Sequence, residues 1–205
     1  MNVTIINDFL VYPTIVREWA IKQQYYTAQE YTQMYNSHTD WPGKRTLHVA
    51  DLNKEYADTV LSRIANIAVS QFGLRDLSIK SFFQLTTIDD GDSWVHQDNN
   101  VDVAGVLYLN PGAPVNSGTS LYNCKDVLRW NSLMSDQTGY STLKTINRKE
   151  NKELYDEIFE PVDVIGNVFN RLIMYKGTEY HKSNDYFGNS IEDGRLTQIF
   201  FLKGG

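Results

Sequence analysis

The sequence predicts a mainly β fold: an antiparallel two-sheet sandwich of the jelly-roll type, flanked by N-terminal helices. Three observations predict it. Helical spacing of apolar residues is concentrated before about residue 75. Beyond that point short apolar runs are separated by turn residues, which is the pattern of successive strands. Aromatic residues make up 13% of the 205 residues, with thirteen Tyr and nine Phe, an enrichment that suits a pleated, half-buried surface. Helices first, many strands after and long connections between them fit a sandwich better than a parallel α/β sheet.

Taken in order, VTIINDFLVY reads as a strand and a turn broken at Asn7-Asp8. Pro13 then opens a helix over TIVREWAIKQQYY, with Ile15, Trp19 and Lys22 on one stripe and proline where its missing N–H costs nothing. Residues 36–48, NSHTDWPGKRTLH, carry the composition of a loop. The next segment has Leu52, Tyr56, Val60, Ile64, Ile67 and Phe72 at helical spacing, with Asp51 expected as N-cap and Gly73 as terminator. Five strands are expected after it, over LSIKSFFQLTTI, VDVAGVLYLN, TSLYN, NRLIMYKG and RLTQIFFLK. NPGAPVNSG supplies the strongest turn.

The expected organisation is one domain over 1–205, because this length allows one sizeable core and would cramp two. Within it, 1–75 forms an N-terminal helical flank and 78–203 the jelly-roll core. Residues 125–160 form an insertion with a helix near RKENKELYDEIF.

Composition narrows the function. A net charge of −6 and no cluster of Lys and Arg argue against a nucleic-acid partner. No apolar run reaches transmembrane length and no signal peptide is recognisable, so the expected location is cytoplasmic, away from the membrane. A single cysteine, Cys124, precludes an intramolecular disulfide and reads as a buried or half-buried structural residue. Serine-hydrolase elbows, zincin helices, phosphate loops and dinucleotide fingerprints are absent.

The most informative stretch is SWVHQDNN. In extended backbone His96 and Asp98 leave the same face, which suits either a hydrogen-bonded turn or two ligands of one metal. His181, downstream in YKGTEYHKS, is the candidate third ligand. Two imidazoles and a carboxylate with open positions form the facial triad of non-haem Fe(II) oxygenases; zinc is the competing metal. On the last strand, alternation puts Arg195, Thr197, Ile199 and Phe201 on one face. A buried guanidinium needs an anion. Either a bound dicarboxylate or a salt bridge to Glu192 or Asp193 would supply it. Tyr108 and Gln84 each read as a cosubstrate contact or a satisfied core residue, and Trp94 as pocket wall or core. His38 and His48 read as surface or loop residues.

The order WVHQDNN, GVLYLNP with SGTSLY, then MYKGTEYHKS and EDGRLTQIFFL resembles the 2-oxoglutarate- and Fe(II)-dependent dioxygenase superfamily, in its prolyl-4-hydroxylase-like branch. The resemblance covers about Ser78 to Lys203. It implies a double-stranded β-helix and an enzyme, a dioxygenase that hydroxylates a peptidyl or small-molecule substrate. His96, Asp98 and His181 would be the catalytic residues and bind Fe(II). Arg195, Thr197 and Tyr108 would bind the cosubstrate 2-oxoglutarate, with O₂ as oxidant. Arg195 follows His181 by fourteen positions, later than that branch typically places its basic residue. The competing expectation is a non-catalytic jelly-roll module that binds metal or serves structure. The inserted segment 125–160 is expected at the mouth of the site, with Trp130 and Tyr140 as substrate contacts.

Overall fold

The computed structural model describes residues 3–36, 41–135 and 152–205. Among these residues ten strands form two antiparallel sheets. They are β1 (Val3–Ile6), β2 (Tyr26–Thr27), β3 (Lys44–Arg45), β4 (Ser78–Thr86), β5 (Val103–Tyr108), β6 (Thr119–Cys124), β7 (Phe159–Ile165), β8 (Leu172–Lys176), β9 (Tyr180–Ser183) and β10 (Arg195–Lys203). The larger sheet runs β1-β8-β5-β10-β4-β3-β2 and the smaller β7-β6-β9. Two facing antiparallel sheets in this order are a jelly-roll arrangement.

Strand β10 is the spine. It pairs with β4 from Arg195↔Thr86 to Lys203↔Ser78, and on its other side with β5. Its alternation divides the molecule. Leu196, Phe200 and Leu202 enter the main core with Phe83, Leu107, Leu172 and Met174. Each such side chain contributes about 1.5–3 kcal/mol by leaving water. The opposite face, Arg195, Thr197, Ile199 and Phe201, lines a cavity. One polar position on the core side, Gln198, is satisfied by the Tyr56 hydroxyl and by Ser81.

The segment before residue 75 supplies α1 (Pro13–Ala20), α2 (Ala28–Tyr35), α3 (Val49–Leu52) and α4 (Lys54–Phe72), together with the three short strands β1, β2 and β3. Helix α1 is shorter than its spacing suggests. It ends at Ala20, Ile15 is exposed, and its buried face is Val16, Trp19 and Ala20. Trp19 packs edge-on against Tyr56 at 5.0 Å and Phe83 at 5.2 Å. The long helix starts later than expected. Asp51 belongs to the short turn α3, and Asn53, in extended backbone, breaks the chain there. Its Oδ1 accepts from Tyr56 N at 3.0 Å, so Asn53 rather than Asp51 caps α4. Gly73 closes α4 at φ 71°, as expected. Ala57, Val60, Ile64 and Ala68 form its buried stripe.

The smaller sheet packs on only part of the larger one. Leu121 and Ile165 meet Ala104, Tyr108, Ile173 and Tyr175 of β5 and β8. The inner faces of β10 and β4 instead open on the cavity, with a volume of about 1010 Å³. The connection from β6 to β7 contains α5 (Val127–Ser135) and α6 (Lys152–Ile158). Among the described residues no helix is long and apolar enough to cross a membrane.

Candidate metal and cosubstrate site

His96 lies outside the regular strands, yet main-chain bonds hold it against β9. His96 N donates to His181 O and His181 N to His96 O, both at 2.9 Å. Two residues on, Asp98 N donates to Gly177 O at 2.8 Å. Gly177 is required there, since a Cβ would stand 2.2 Å from the Val101 carbonyl oxygen. His96 and His181 are therefore cross-strand partners, and Asp98 is anchored beside them.

The side chains converge. His96 Nε2 lies 3.7 Å from Asp98 Oδ1, and His181 Nε2 lies 3.6 Å from Asp98 Oδ2. One ligand atom from each residue falls within 4.8 Å of the others, so the three could hold a single metal ion. The outer ring nitrogens settle the tautomers. His96 Nδ1 lies 2.9 Å from Trp94 O, and His181 Nδ1 lies 2.9 Å from Glu179 O. A carbonyl can only accept, so Nδ1 is the donor of each ring, which in its neutral form has its lone pair on Nε2. In that form two lone pairs and a carboxylate face one another at these separations. A cation resolves that arrangement, and main-chain acceptors behind ligating histidines are its usual support. Burial, reinforced by the neighbouring His181, pulls the His96 imidazole down to about 4, against the opposing pull of Asp98.

The same cavity reaches Arg195, which is 4% exposed. Its Nε donates to Ser117 O at 2.8 Å and Nη2 to Gly118 O at 3.3 Å. Carbonyl oxygens orient the guanidinium without neutralising it. Neither Glu192 nor Asp193 forms an ion pair with it, and the Asp193 carboxylate accepts from Asn189 and Ser190. Among the described residues, no ion pair to Arg195 is present. Thr197 lines the cavity one alternation along the strand. Tyr108 is fully buried and does not line it. The Tyr108 hydroxyl donates to Thr119 Oγ1 at 2.8 Å, and Thr119 does reach the cavity. Burial pushes the Tyr108 hydroxyl above its ordinary range, with Arg195 opposing.

The remaining sequence candidates sort by contact. Gln84 lines the cavity, accepts from Arg45 Nε at 3.0 Å and donates to Pro42 O at 3.1 Å. Trp94 is both pocket wall and core, buried in an apolar cluster next to His96. His48 caps α3, with Nδ1 accepting from Ala50 N. The Cys124 thiol packs at the edge of that cluster, and burial pushes it up, which suits a structural role. Trp130 is no cavity residue. It is buried against Phe159 and near Tyr180, so the inserted segment's described helices brace the chain beside both histidines. Tyr140 and His38 lie outside the described residues.

Other cavity residues escaped the sequence. Tyr175 packs 4.7 Å from the His181 ring, and burial, with Asp98 near it, holds its hydroxyl well above the ordinary range. Ser93 and Ser183 line the inner end, and Tyr31, Trp41 and Arg45 the outer. Only their places in the assembled fold bring them together; no local spacing announces them.

Comparison with solved structures gives the fold an independent reference. A prolyl-4-hydroxylase from Pseudomonas putida matches with a TM-score of 0.53 at 15% identity, over 100% of this chain and 93% of that one. HygX from Streptomyces hygroscopicus, solved with nickel and 2-oxoglutarate, matches with a TM-score of 0.60 at 11% identity, over 99% and 83%. The epimerase SnoN from nogalamycin biosynthesis, solved with Fe³⁺, α-ketoglutarate and nogalamycin RO, gives 0.53 at 14%, over 99% and 79%. The chain thus shares the fold of these three proteins. No curated protein matches the sequence. By its sequence, which matches over residues 1–202, the chain belongs to the family of unknown function DUF6445.

Proposed function

We propose that the chain is an Fe(II)- and 2-oxoglutarate-dependent oxygenase acting on a peptidyl or small-molecule substrate. The observation that carries this reading is the convergence of two imidazole nitrogens and a carboxylate beside a cavity that also holds a buried arginine without a carboxylate partner among the described residues. His96, Asp98 and His181 would hold the metal, as a two-histidine, one-carboxylate set leaving coordination positions open. When bound, ferrous iron with 2-oxoglutarate supplies O₂-dependent oxidation of a substrate C–H bond, and the cosubstrate leaves as succinate and CO₂.

The chain's own groups supply binding and exclusion of water. Donation from each Nδ1 to a main-chain carbonyl fixes the rings and keeps Nε2 available. Arg195 would take the far carboxylate of 2-oxoglutarate and Thr197 would add a hydroxyl donor, while Tyr108 acts through Thr119 to hold that end in shape. Trp94 and Tyr175 close the wall next to the histidines. A metal module without cosubstrate gives no reason for a buried arginine in the same cavity with no ion-pair partner among the described residues.

The test is anaerobic titration with Mn(II) and then 2-oxoglutarate, followed by succinate formation with Fe(II) in air. Saturable binding of both is expected, with metal binding lost in Asp98→Ala. Absence of Mn(II) binding to the wild type would overturn the reading.

A further inference from the structure

The cavity is far larger than one dicarboxylate requires, and its outer half, bounded by α2, β3, β4 and β10, sets four rings among polar side chains such as Asp51, Lys80 and Lys203. Phe82 of β4 and Phe201 of β10 stand on the inner face, 6.5 Å apart between ring centres. Tyr31 of α2 meets Phe82 at 6.4 Å and Trp41 at 5.2 Å, both edge-on. The Tyr31 hydroxyl donates to Thr46 O, which fixes its ring. Arg45 lies 4.3 Å over the Trp41 ring.

These rings are not core. Phe82, Phe201, Tyr31 and Trp41 belong to none of the three apolar clusters that hold the fold together, and Phe82 and Phe201 remain half-buried. The smaller sheet covers β5 and β8 and leaves this face of β10 and β4 to the cavity. Partly open aromatic faces from several elements offer a planar ligand edge-to-face and stacked contacts. A volume of about 1010 Å³ is of the order that receives a drug-sized molecule. An extended peptide is less well served. On this side the larger sheet ends at β2, two residues long, which gives no ladder for backbone pairing.

We infer that the outer half of the cavity binds a planar, ring-bearing small molecule, held between Phe82, Phe201, Trp41 and Tyr31. What happens to that molecule rests on the oxygenase reading, but its binding does not. The specificity wall is then largely the work of the N-terminal segment, through α2, Trp41 and β3, beside the two nine-residue strands β4 and β10.

The test uses the full chain without metal and two matched probes, 2-naphthol and its saturated analogue decahydro-2-naphthol, read by saturation-transfer NMR and by fluorescence. The flat probe is expected to bind about 10-fold more tightly. Phe82→Leu and Phe201→Leu, which keep apolar volume and remove a ring face, are each expected to weaken it about 3- to 10-fold. Equal binding of the two probes, unchanged affinity in both variants, or tighter binding of acetyl-Ala-Pro-Ala-amide than of 2-naphthol would each overturn the inference, the last in favour of a peptide. Mn(II) titration of the same samples separates the two readings. A ring preference without Mn(II) binding would sink the oxygenase and leave the aromatic site standing. Mn(II) binding without a ring preference would do the reverse.

Discussion

Replacing Arg195 tests the cosubstrate end of the site, because the two substitutions available there fail differently. Arg195→Lys keeps a cation but gives up the fork. Nε and Nη2 are engaged with Ser117 O and Gly118 O, so the guanidinium is held by one edge and presents its remaining N–H groups to the cavity. A lysine ammonium cannot do both. Losing one charge-assisted bond to a carboxylate costs about 1.5–3 kcal/mol, which is about 10- to 150-fold in 2-oxoglutarate affinity. Arg195→Leu removes the charge altogether and should weaken the cosubstrate further. Its effect on stability should be small by comparison. It orphans the Ser117 carbonyl, while Gly118 O keeps its bond from Asn184 N, and it removes a buried cation that has no ion-pair partner among the described residues. Metal affinity should stay within about 3-fold of wild type, since Arg195 is not among the three converging residues. The assay is paired calorimetry, Mn(II) first and 2-oxoglutarate second, on wild type and both variants. Unchanged 2-oxoglutarate affinity in Arg195→Leu would refute the assignment of this residue as the anchor.

Three further outcomes follow from the same structure. The folded chain holds the His96 proton less tightly than the unfolded chain does, so metal-free stability should fall as pH drops through about 6.5 and level off near 4. The contribution is at most about 3 kcal/mol, and less because 26% of the side chain stays open; urea unfolding of wild type and His96→Gln at pH 7 and 4.5 measures it, and equal pH dependence in the two would count against it. Trp130→Ala should cost about 3–5 kcal/mol in urea unfolding while sparing Mn(II) affinity, as befits a buried ring that does not reach the cavity. Asn53→Ala should lose about 1 kcal/mol and Asp51→Ala much less; the reverse order would return the cap of α4 to Asp51.

What could be read from the sequence divides along physical lines. The six expected strands, β1, β4, β5, β6, β8 and β10, are present because each carries enough apolar residues to bury one face. β7 was missed since FEPVDVI contains a proline and two acids, which an edge strand tolerates; Pro161 stands opposite Tyr122, where the register shifts. β9 is four residues, and only its pairing with β6 and His96 makes it a strand. β2 and β3 are too short to show a period. In the candidate site, His96 and Asp98 were legible from a two-residue spacing and Arg195 from strand alternation. Trp130 misled because an aromatic in a polar stretch looks like a ligand contact, whereas Phe159 and Tyr180 take it into a core. The ring wall was illegible, because it joins residues brought together only by the register of β4 with β10 and by the docking of α2.

The pair of main-chain bonds between His96 and His181 has a consequence for when the site comes into being. Those bonds close a loop that contains β5, β6, β7 and β8, and closing so long a loop costs chain entropy that only the finished sheets repay. The three converging side chains therefore meet late, after the smaller sheet has zipped as far as β9. An ion that binds them selects molecules in which both sheets are complete, and its binding free energy is added to the stability of the whole chain. Metal uptake in a refolding experiment would then lag behind formation of the larger sheet and serve as a clock for the last step of folding.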